Sequence, residues 1–145
     1  GTGNGEEGPD ASQEEFLKLS FMRASFCSEL VKMAKNMPIS RNDAYLMGMF
    51  STLNYLIAAP MEDILADLPI SSEVKEARLN HSGRCGVLYD LVLSYERADW
   101  STIGSMAETL EIPVNLLTNT YFQCLGEVNS IWKQLMEPGE DTPPA

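Results

Sequence analysis

Hydrophobic residues recur along most of this chain at intervals of three and four, which is the spacing of one face of an α-helix. The first such stretch follows the capping-box sequence Ser12-Gln13-Glu14-Glu15. Its apolar face contains Leu19, Met22, Phe26, Leu30 and Met33. Met37-Pro38 ends this helix near Asn36, because a residue that precedes proline disfavours the helical conformation.

Prolines and capping residues divide the rest of the chain into further helices, with Ser40 and Asp99 as predicted caps of two of them. The predicted ranges are 42–59, 60–68, 72–79, 85–98, 100–110 and 112–136. No segment alternates apolar and polar residues for long enough to predict a strand. The short connections favour antiparallel neighbours. The pattern therefore predicts an all-α fold, a compact array of about seven helices.

The helix predicted over 42–59 has the least polar sequence. Residues 44–61 contain no charge, but polar residues in the middle and a proline at the end favour the central helix of a soluble bundle over a membrane span. We predict that this helix is the central core element and that Leu53→Ala costs about 2–5 kcal/mol. Gly48 would allow a neighbouring helix to approach it closely.

The composition is that of a globular domain, with 145 residues, of which 44% are hydrophobic and 21% charged. The net charge is −11, and 6 of the 21 acids lie in residues 1–10 and 137–145, which contain no base. We expect residues 1–10 to be a disordered tail or a remnant of cloning, 11–136 to be the helical domain, and 137–145 to be a disordered acidic, proline-rich tail. Lysine and arginine form no sequence cluster, so nucleic acid is not an expected partner.

The cellular compartment is predicted from the cysteines and from the first residues of the chain. Cys27, Cys85 and Cys124 are too far apart to predict a disulfide framework or a zinc site. No basic segment followed by an apolar run is present, so no secretory signal is predicted, and the first residue is Gly1. We therefore expect a piece of a longer, cytoplasmic protein with no membrane partner.

Few residues are candidates for catalysis. The single histidine, His81, lies in a polar turn and is expected to be solvated. The acids Glu62, Asp63 and Asp67 are expected to form a solvated face of a short helix. No glycine-rich phosphate loop is present. We predict no catalytic residue, no cofactor and no divalent-metal site.

The segment from Ala44 to Asn54, AYLMGMFSTLN, resembles the A-Y-L-x-G-L-L-H-D-I-G segment of HD-superfamily phosphohydrolases. There, the His-Asp pair ligates a divalent metal that activates water. Ser51 and Thr52 stand at those two positions here, and neutral hydroxyls are poor ligands for such a metal. The segment is therefore more similar to the HD-related output domain, HDOD, a non-catalytic bacterial signalling module.

Three other stretches resemble HDOD regions and occur in the same order: RASFCSEL at 23–30, LPIS at 68–71 and LVLSYERADW at 91–100. The YERADW and AYLMGMFS forms are most similar to the subgroup that is joined to an upstream EAL domain, the cyclic di-GMP phosphodiesterase fold. The resemblance covers residues 12–136. It implies an HD-domain-like helical subdomain, the C-terminal part of an HDOD region.

The implied function is regulation through contacts with the remainder of the parent protein or with another signalling protein. Two alternatives are a degenerate HD-type phosphohydrolase and a helical interaction protein unrelated to HDOD. The resemblance also implies that a missing helical half would pack on this one. The apolar face of the first helix is widened by Phe16, Phe21 and Met22, which form the expected interaction surface. A two-fold homodimer is the simplest assembly that would bury this surface. The alternative is that the first helix buries both faces within this chain.

Overall fold

The computed structural model describes residues 11–136, with side chains from residue 13 onward. The two predicted tails and the side chain of Ser12, the predicted cap, lie outside the described residues. In this range each of the seven predicted segments contains α-helix and no strand is present, which confirms the all-α prediction.

The helices are numbered in chain order, and α2 and α3 are separated by a 3₁₀ turn at Phe50–Thr52. Their bounds are α1 Ala11–Met33, α2 Arg41–Met49, α3 Leu53–Leu56, α4 Met61–Ala66, α5 Ser72–Asn80, α6 Gly83–Glu96, α7 Trp100–Leu110 and α8 Val114–Met136. Ser40 caps α2 and Asp99 caps α7, as predicted. No helix among the described residues is both long and apolar enough to cross a bilayer.

The centre of the fold is α1, which packs most extensively on α2 and also contacts α6, α8 and the 3₁₀ turn. Phe26 on α1 is 1% exposed. Its ring makes edge contacts with Tyr95 on α6 and Tyr121 on α8, at centroid distances of 5.5 and 5.4 Å. Because α1 has neighbours on several sides, it takes the central position that was expected for residues 42–59.

The prediction of one continuous helix over 42–59 is wrong, because the α-helix stops at Met49 and the chain becomes extended at Ile57. The Ser51 hydroxyl donates to the carbonyl of Gly48, 2.7 Å away. Arg78 on α5 donates to the carbonyl of Ser51 at 3.0 Å. These side chains occupy carbonyls that a continuing helix would use, and such competition interrupts helices.

Burial along this segment also differs from the prediction, since Met47 is 1% exposed whereas Leu53 is only half-buried. We therefore expect Met47→Ala to lower the free energy of unfolding by about 2 kcal/mol, near the lower end for large-to-small changes because methionine is flexible and tolerates substitution. Leu53→Ala should cost about 1 kcal/mol, which corrects the larger loss expected from sequence. Urea unfolding of the two variants measures both values, and a larger loss at Leu53 would contradict the burial order.

The cap of α7 makes stability depend on pH. Asp99 accepts hydrogen bonds from the Thr102 hydroxyl at 2.8 Å and the Thr102 amide at 3.5 Å. These bonds hold the pKa of the Asp99 carboxyl below its ordinary 3.8, and the bond from the Thr102 hydroxyl has the larger effect. A depressed folded pKa gives stability that is present above the unfolded pKa and lost as pH falls through the folded one.

Asp99→Ala should therefore lower the thermal midpoint at neutral pH. The difference in thermal midpoint between this variant and the wild type should become smaller below about pH 4. Asp99→Asn is the control, because asparagine caps helices without ionising. At neutral pH it should lower the thermal midpoint less than Asp99→Ala does. If the difference in thermal midpoint between Asp99→Ala and the wild type stays constant across the pH range, the ionised Asp99 cap is not the source of the pH dependence.

Candidate functional site

Polar side chains from α1, α5, α6 and the 3₁₀ turn converge on one open cavity of about 350 Å³. We call it the arginine cavity, because Arg23, Arg78 and Arg97 line it together with Ser51, Tyr55, His81, Tyr89, Leu93 and Glu96. It lies beside the two positions at which the HD pattern has its His-Asp pair. None of the three arginines was a sequence-based candidate.

Arg23 and Glu96 form a two-pronged ion pair between α1 and α6. Arg23 Nε donates to Glu96 Oε2 at 2.8 Å, and Arg23 Nη2 donates to Oε1 at 3.0 Å. The third nitrogen, Nη1, donates to the Ser51 hydroxyl at 3.1 Å. Burial lowers the pKa of Arg23, but the hydrogen bonds that it donates to the Glu96 carboxylate and the charge of that carboxylate outweigh burial, and the pKa is raised. Arg23 is therefore a fixed cation that joins three elements.

Ser51 and Thr52, the residues at the His-Asp positions, are both buried. The Thr52 hydroxyl is hydrogen-bonded to the hydroxyl of Ser20 on α1. The Ser51 hydroxyl donates to the Gly48 carbonyl and accepts from Arg23. Both hydroxyls thus connect the 3₁₀ turn to α1, and that of Ser51 also connects the turn to the end of α2. Within residues 13–136, no group of three or more His, Cys, Asp or Glu side chains is placed to hold a metal ion.

Arg78 enters the cavity from α5 and is held by neutral groups. Its Nη2 donates to the Ser51 carbonyl at 3.0 Å and to Asn54 Oδ1 at 3.2 Å. Its guanidinium carbon is 5.6 Å from the centre of the Tyr89 ring, within cation–π range. Its buried Nε has no hydrogen-bond partner within the described part of the chain. Burial raises the pKa of Tyr89, and the Arg78 charge opposes that rise.

His81 ends α5 with a left-handed backbone conformation, φ 53°. Its Nδ1 contacts the carboxylate of Asp90 on α6, and its ring lines the arginine cavity. His81 is exposed, as expected, and it has in addition a carboxylate partner. The acids Glu62, Asp63 and Asp67 are exposed, as expected.

The three residues of the expected interaction surface lie in different environments. Met22 is 7% exposed and belongs to the core, so its inclusion is corrected: α1 buries this position against its neighbours. Phe21 is half-buried and its ring contacts Trp132 on α8 edge-on. Phe16 is half-buried and stacks on Tyr55 at 4.8 Å between centroids. An interaction role for Phe16 and Phe21 stays a prediction.

All three cysteines are free and buried. Burial raises the pKa of the Cys27 thiol to about 12 and that of Cys85 to about 11. Because the thiolate is the reactive form, neither residue is suited to be a nucleophile.

Sequence reasoning missed the arginine cavity although a signal was available. Arg23 begins the RASFCSEL stretch, and Glu96 and Arg97 lie within YERADW, two of the motifs that carried the family resemblance. What the motifs could not show is that residues 73 positions apart form an ion pair.

Two curated proteins are similar to this chain. The chain is 36% identical over 90 residues to the cyclic di-GMP phosphodiesterase CdgJ of Vibrio cholerae, a match that covers 62% of this chain and 21% of the relative. It is 31% identical over 102 residues to the uncharacterized protein YuxH of Bacillus subtilis, which covers 70% of this chain and 24% of that relative. The matched region thus spans between a fifth and a quarter of each relative.

No protein-family profile matches the chain, and no solved structure matches it.

Proposed function

We propose that this chain is a non-catalytic regulatory module of the HDOD type, within a bacterial cyclic di-GMP signalling protein. The observation that carries the proposal is its 36% identity to a cyclic di-GMP phosphodiesterase, in a region that forms only 21% of that protein. The HDOD-like motifs in the sequence support the same assignment. In this proposal the parent also contains an EAL domain, and the module controls it or a partner by direct contact.

The non-catalytic part of the proposal is supported by the hydrogen bonds of Ser51 and Thr52. Both hydroxyls are engaged in contacts that hold the 3₁₀ turn and α1 together. Neutral hydroxyls are weak ligands for the divalent metals of hydrolytic centres, so the two residues suit a structural role better than a catalytic one.

A regulatory module needs a contact surface, and apolar residues on one side of α1, α2 and α8 are candidates. We call this the α8 face; it contains Phe21, Tyr45, Phe122, Ile131 and Trp132, which line two adjoining depressions. Phe122 is 62% and Ile131 is 53% exposed. Exposed apolar side chains that cluster in this way commonly mark protein-binding surfaces. In the proposal this face docks on the remainder of the parent protein.

The decisive experiment compares cyclic di-GMP turnover by the parent protein with and without charge on the α8 face. We expect Ile131→Asp and Phe122→Asp to change the turnover, because a buried unpaired carboxylate opposes docking. Ser105→Asp adds the same charge at an exposed position on α7 and is the control. Unchanged turnover in both α8 variants would overturn regulation through this face.

The enzymatic alternative is tested on the chain itself. The 145-residue chain is incubated with Mn²⁺ and bis(p-nitrophenyl) phosphate, and we expect no hydrolysis above the metal-only background. Hydrolysis that Ser51→Ala abolishes would instead support a degenerate phosphohydrolase. A parent reading frame without an EAL domain would contradict the proposed context.

A further inference from the structure

Positive charge is concentrated at the arginine cavity in a chain whose net charge is −11. Three of the five arginines line this one cavity, and Glu96 is the single carboxylate among its lining residues. Glu96 is already paired with Arg23 through two hydrogen bonds. The lining therefore has an excess of two positive charges, located on Arg78 and Arg97.

Arg78 is oriented without being neutralised. Its hydrogen-bond acceptors are the Ser51 carbonyl and the Asn54 amide oxygen, and the Tyr89 ring packs near its guanidinium. It makes no ion pair with any described carboxylate within 4.0 Å. A guanidinium has five N–H donors, and the buried Nε of Arg78 is unused by the described residues. Its charge therefore remains available to a ligand.

Arg97 is the second available cation. It is exposed, and its Nη2 donates to the Ser94 hydroxyl at 3.3 Å. The charge of Arg97 acts on Asp99, but the Asp99 carboxylate is already engaged in capping α7. The exposed guanidinium of Arg97 therefore has donors that can turn onto a ligand.

The orphaned nitrogen alone does not identify a site, because the Nε of Arg84 also lacks a partner among the described residues. The charge around Arg84 is different, however. Its cavity, of about 270 Å³, is also lined by Glu73 and Glu76, so the acids outnumber the base. The excess of positive charge is what distinguishes the arginine cavity.

We propose that the arginine cavity binds a small dianion, with the guanidinium groups of Arg78 and Arg97 holding its charged oxygens. An excess of two positive charges matches a phosphate monoester, with about −1.5 to −2 charge at neutral pH, or a dicarboxylate. The guanidinium fork fits the oxygens of both groups. Tyr55 and Leu93 supply apolar wall for the rest of the molecule. This proposal does not depend on the assignment to cyclic di-GMP signalling.

The test is calorimetric titration of the 145-residue chain with adenosine monophosphate and with succinate, at low ionic strength because salt screens such contacts. Adenosine is the neutral control. We expect at least one dianion to bind with a dissociation constant below about 1 mM, and adenosine to bind at least tenfold more weakly. Preference for the nucleotide or for succinate distinguishes the two ligand chemistries.

Arg78→Gln should weaken binding about tenfold or more, since it removes a charged hydrogen-bond donor from the dianion. Arg97→Gln should also weaken binding. Because Arg97 is exposed, this variant is expected to fold normally. Arg41→Gln removes an equal charge at the surface, in an ion pair with Glu29, and should leave the affinity unchanged. Failure of both dianions to bind, or equal weakening by Arg41→Gln, would overturn the proposal without bearing on the proposed regulatory function.

Discussion

Gly48→Ala is expected to lower the free energy of unfolding by about 3 kcal/mol, although alanine favours helix over glycine by about 1 kcal/mol. A Cβ atom at Gly48 would lie 2.4 Å from the amide nitrogen of Ala24 and 2.5 Å from the carbonyl carbon and oxygen of Arg23. These are backbone atoms of α1, so no side-chain rotation relieves the overlap. The two helices must separate, which loosens the most extensive packing in the fold.

Gly104→Ala is the matched control. Gly104 lies within α7, and a Cβ atom there meets no atom within 4 Å apart from its chain neighbours and the nearby backbone of its own helix. The same substitution should therefore stabilise the chain by up to about 1 kcal/mol through helix propensity alone. Urea unfolding of the two variants should give shifts of opposite sign. A neutral or stabilising Gly48→Ala would contradict the close approach of α1 and α2.

The role of Gly48 could be predicted from sequence, because a glycine in a nearly uncharged helix suggests close helix packing. The seven helical segments could be predicted for similar local reasons: three- and four-residue spacing, prolines, and caps such as Ser40 and Asp99. All of these signals lie within a few residues of the structure that they determine. This explains why the all-α prediction and most helix bounds hold.

The interruption of the helix after Met49 could not be predicted, because one of its causes is distant in sequence. The carbonyl of Ser51 accepts a hydrogen bond from Arg78, 27 positions later. Met22 was assigned to an interaction surface for a related reason: the width of an apolar face indicates that a helix has two neighbours but does not tell which elements supply them. In the structure α2, α6 and α8 of this chain pack on α1.

The positive charge of the arginine cavity could not be predicted from sequence either. Sequence gives a net charge of −11 and no basic cluster. Arg23, Arg78 and Arg97 are separated by many acidic residues along the chain, and only the packing of α1, α5 and α6 brings them to one cavity. A local excess of charge is a property of the tertiary structure.

Arg23→Met is expected to lower the free energy of unfolding by about 3 kcal/mol, because it leaves the Glu96 carboxylate without its partner in a partly buried place. The side chains of Arg23 and Glu96 are 12% and 21% exposed, so water replaces the lost bonds only in part. The substitution also removes the donor to Ser51 and thus loosens the 3₁₀ turn. This value lies at the low end for breaking a buried ion pair because of that residual exposure.

A double-mutant cycle separates the ion pair from simple loss of packing. Arg23→Met combined with Glu96→Gln should cost less than the two single substitutions added together, with a coupling of at least about 1 kcal/mol. The control is Lys32→Met, which removes an exposed ion pair with Glu29 on α1 and should cost less than about 0.5 kcal/mol. Raising the salt concentration should abolish most of the control's effect and little of the coupling. Additive single substitutions, or an equal loss for Lys32→Met, would show that Arg23 and Glu96 do not form the link between α1 and α6 that shapes the cavity.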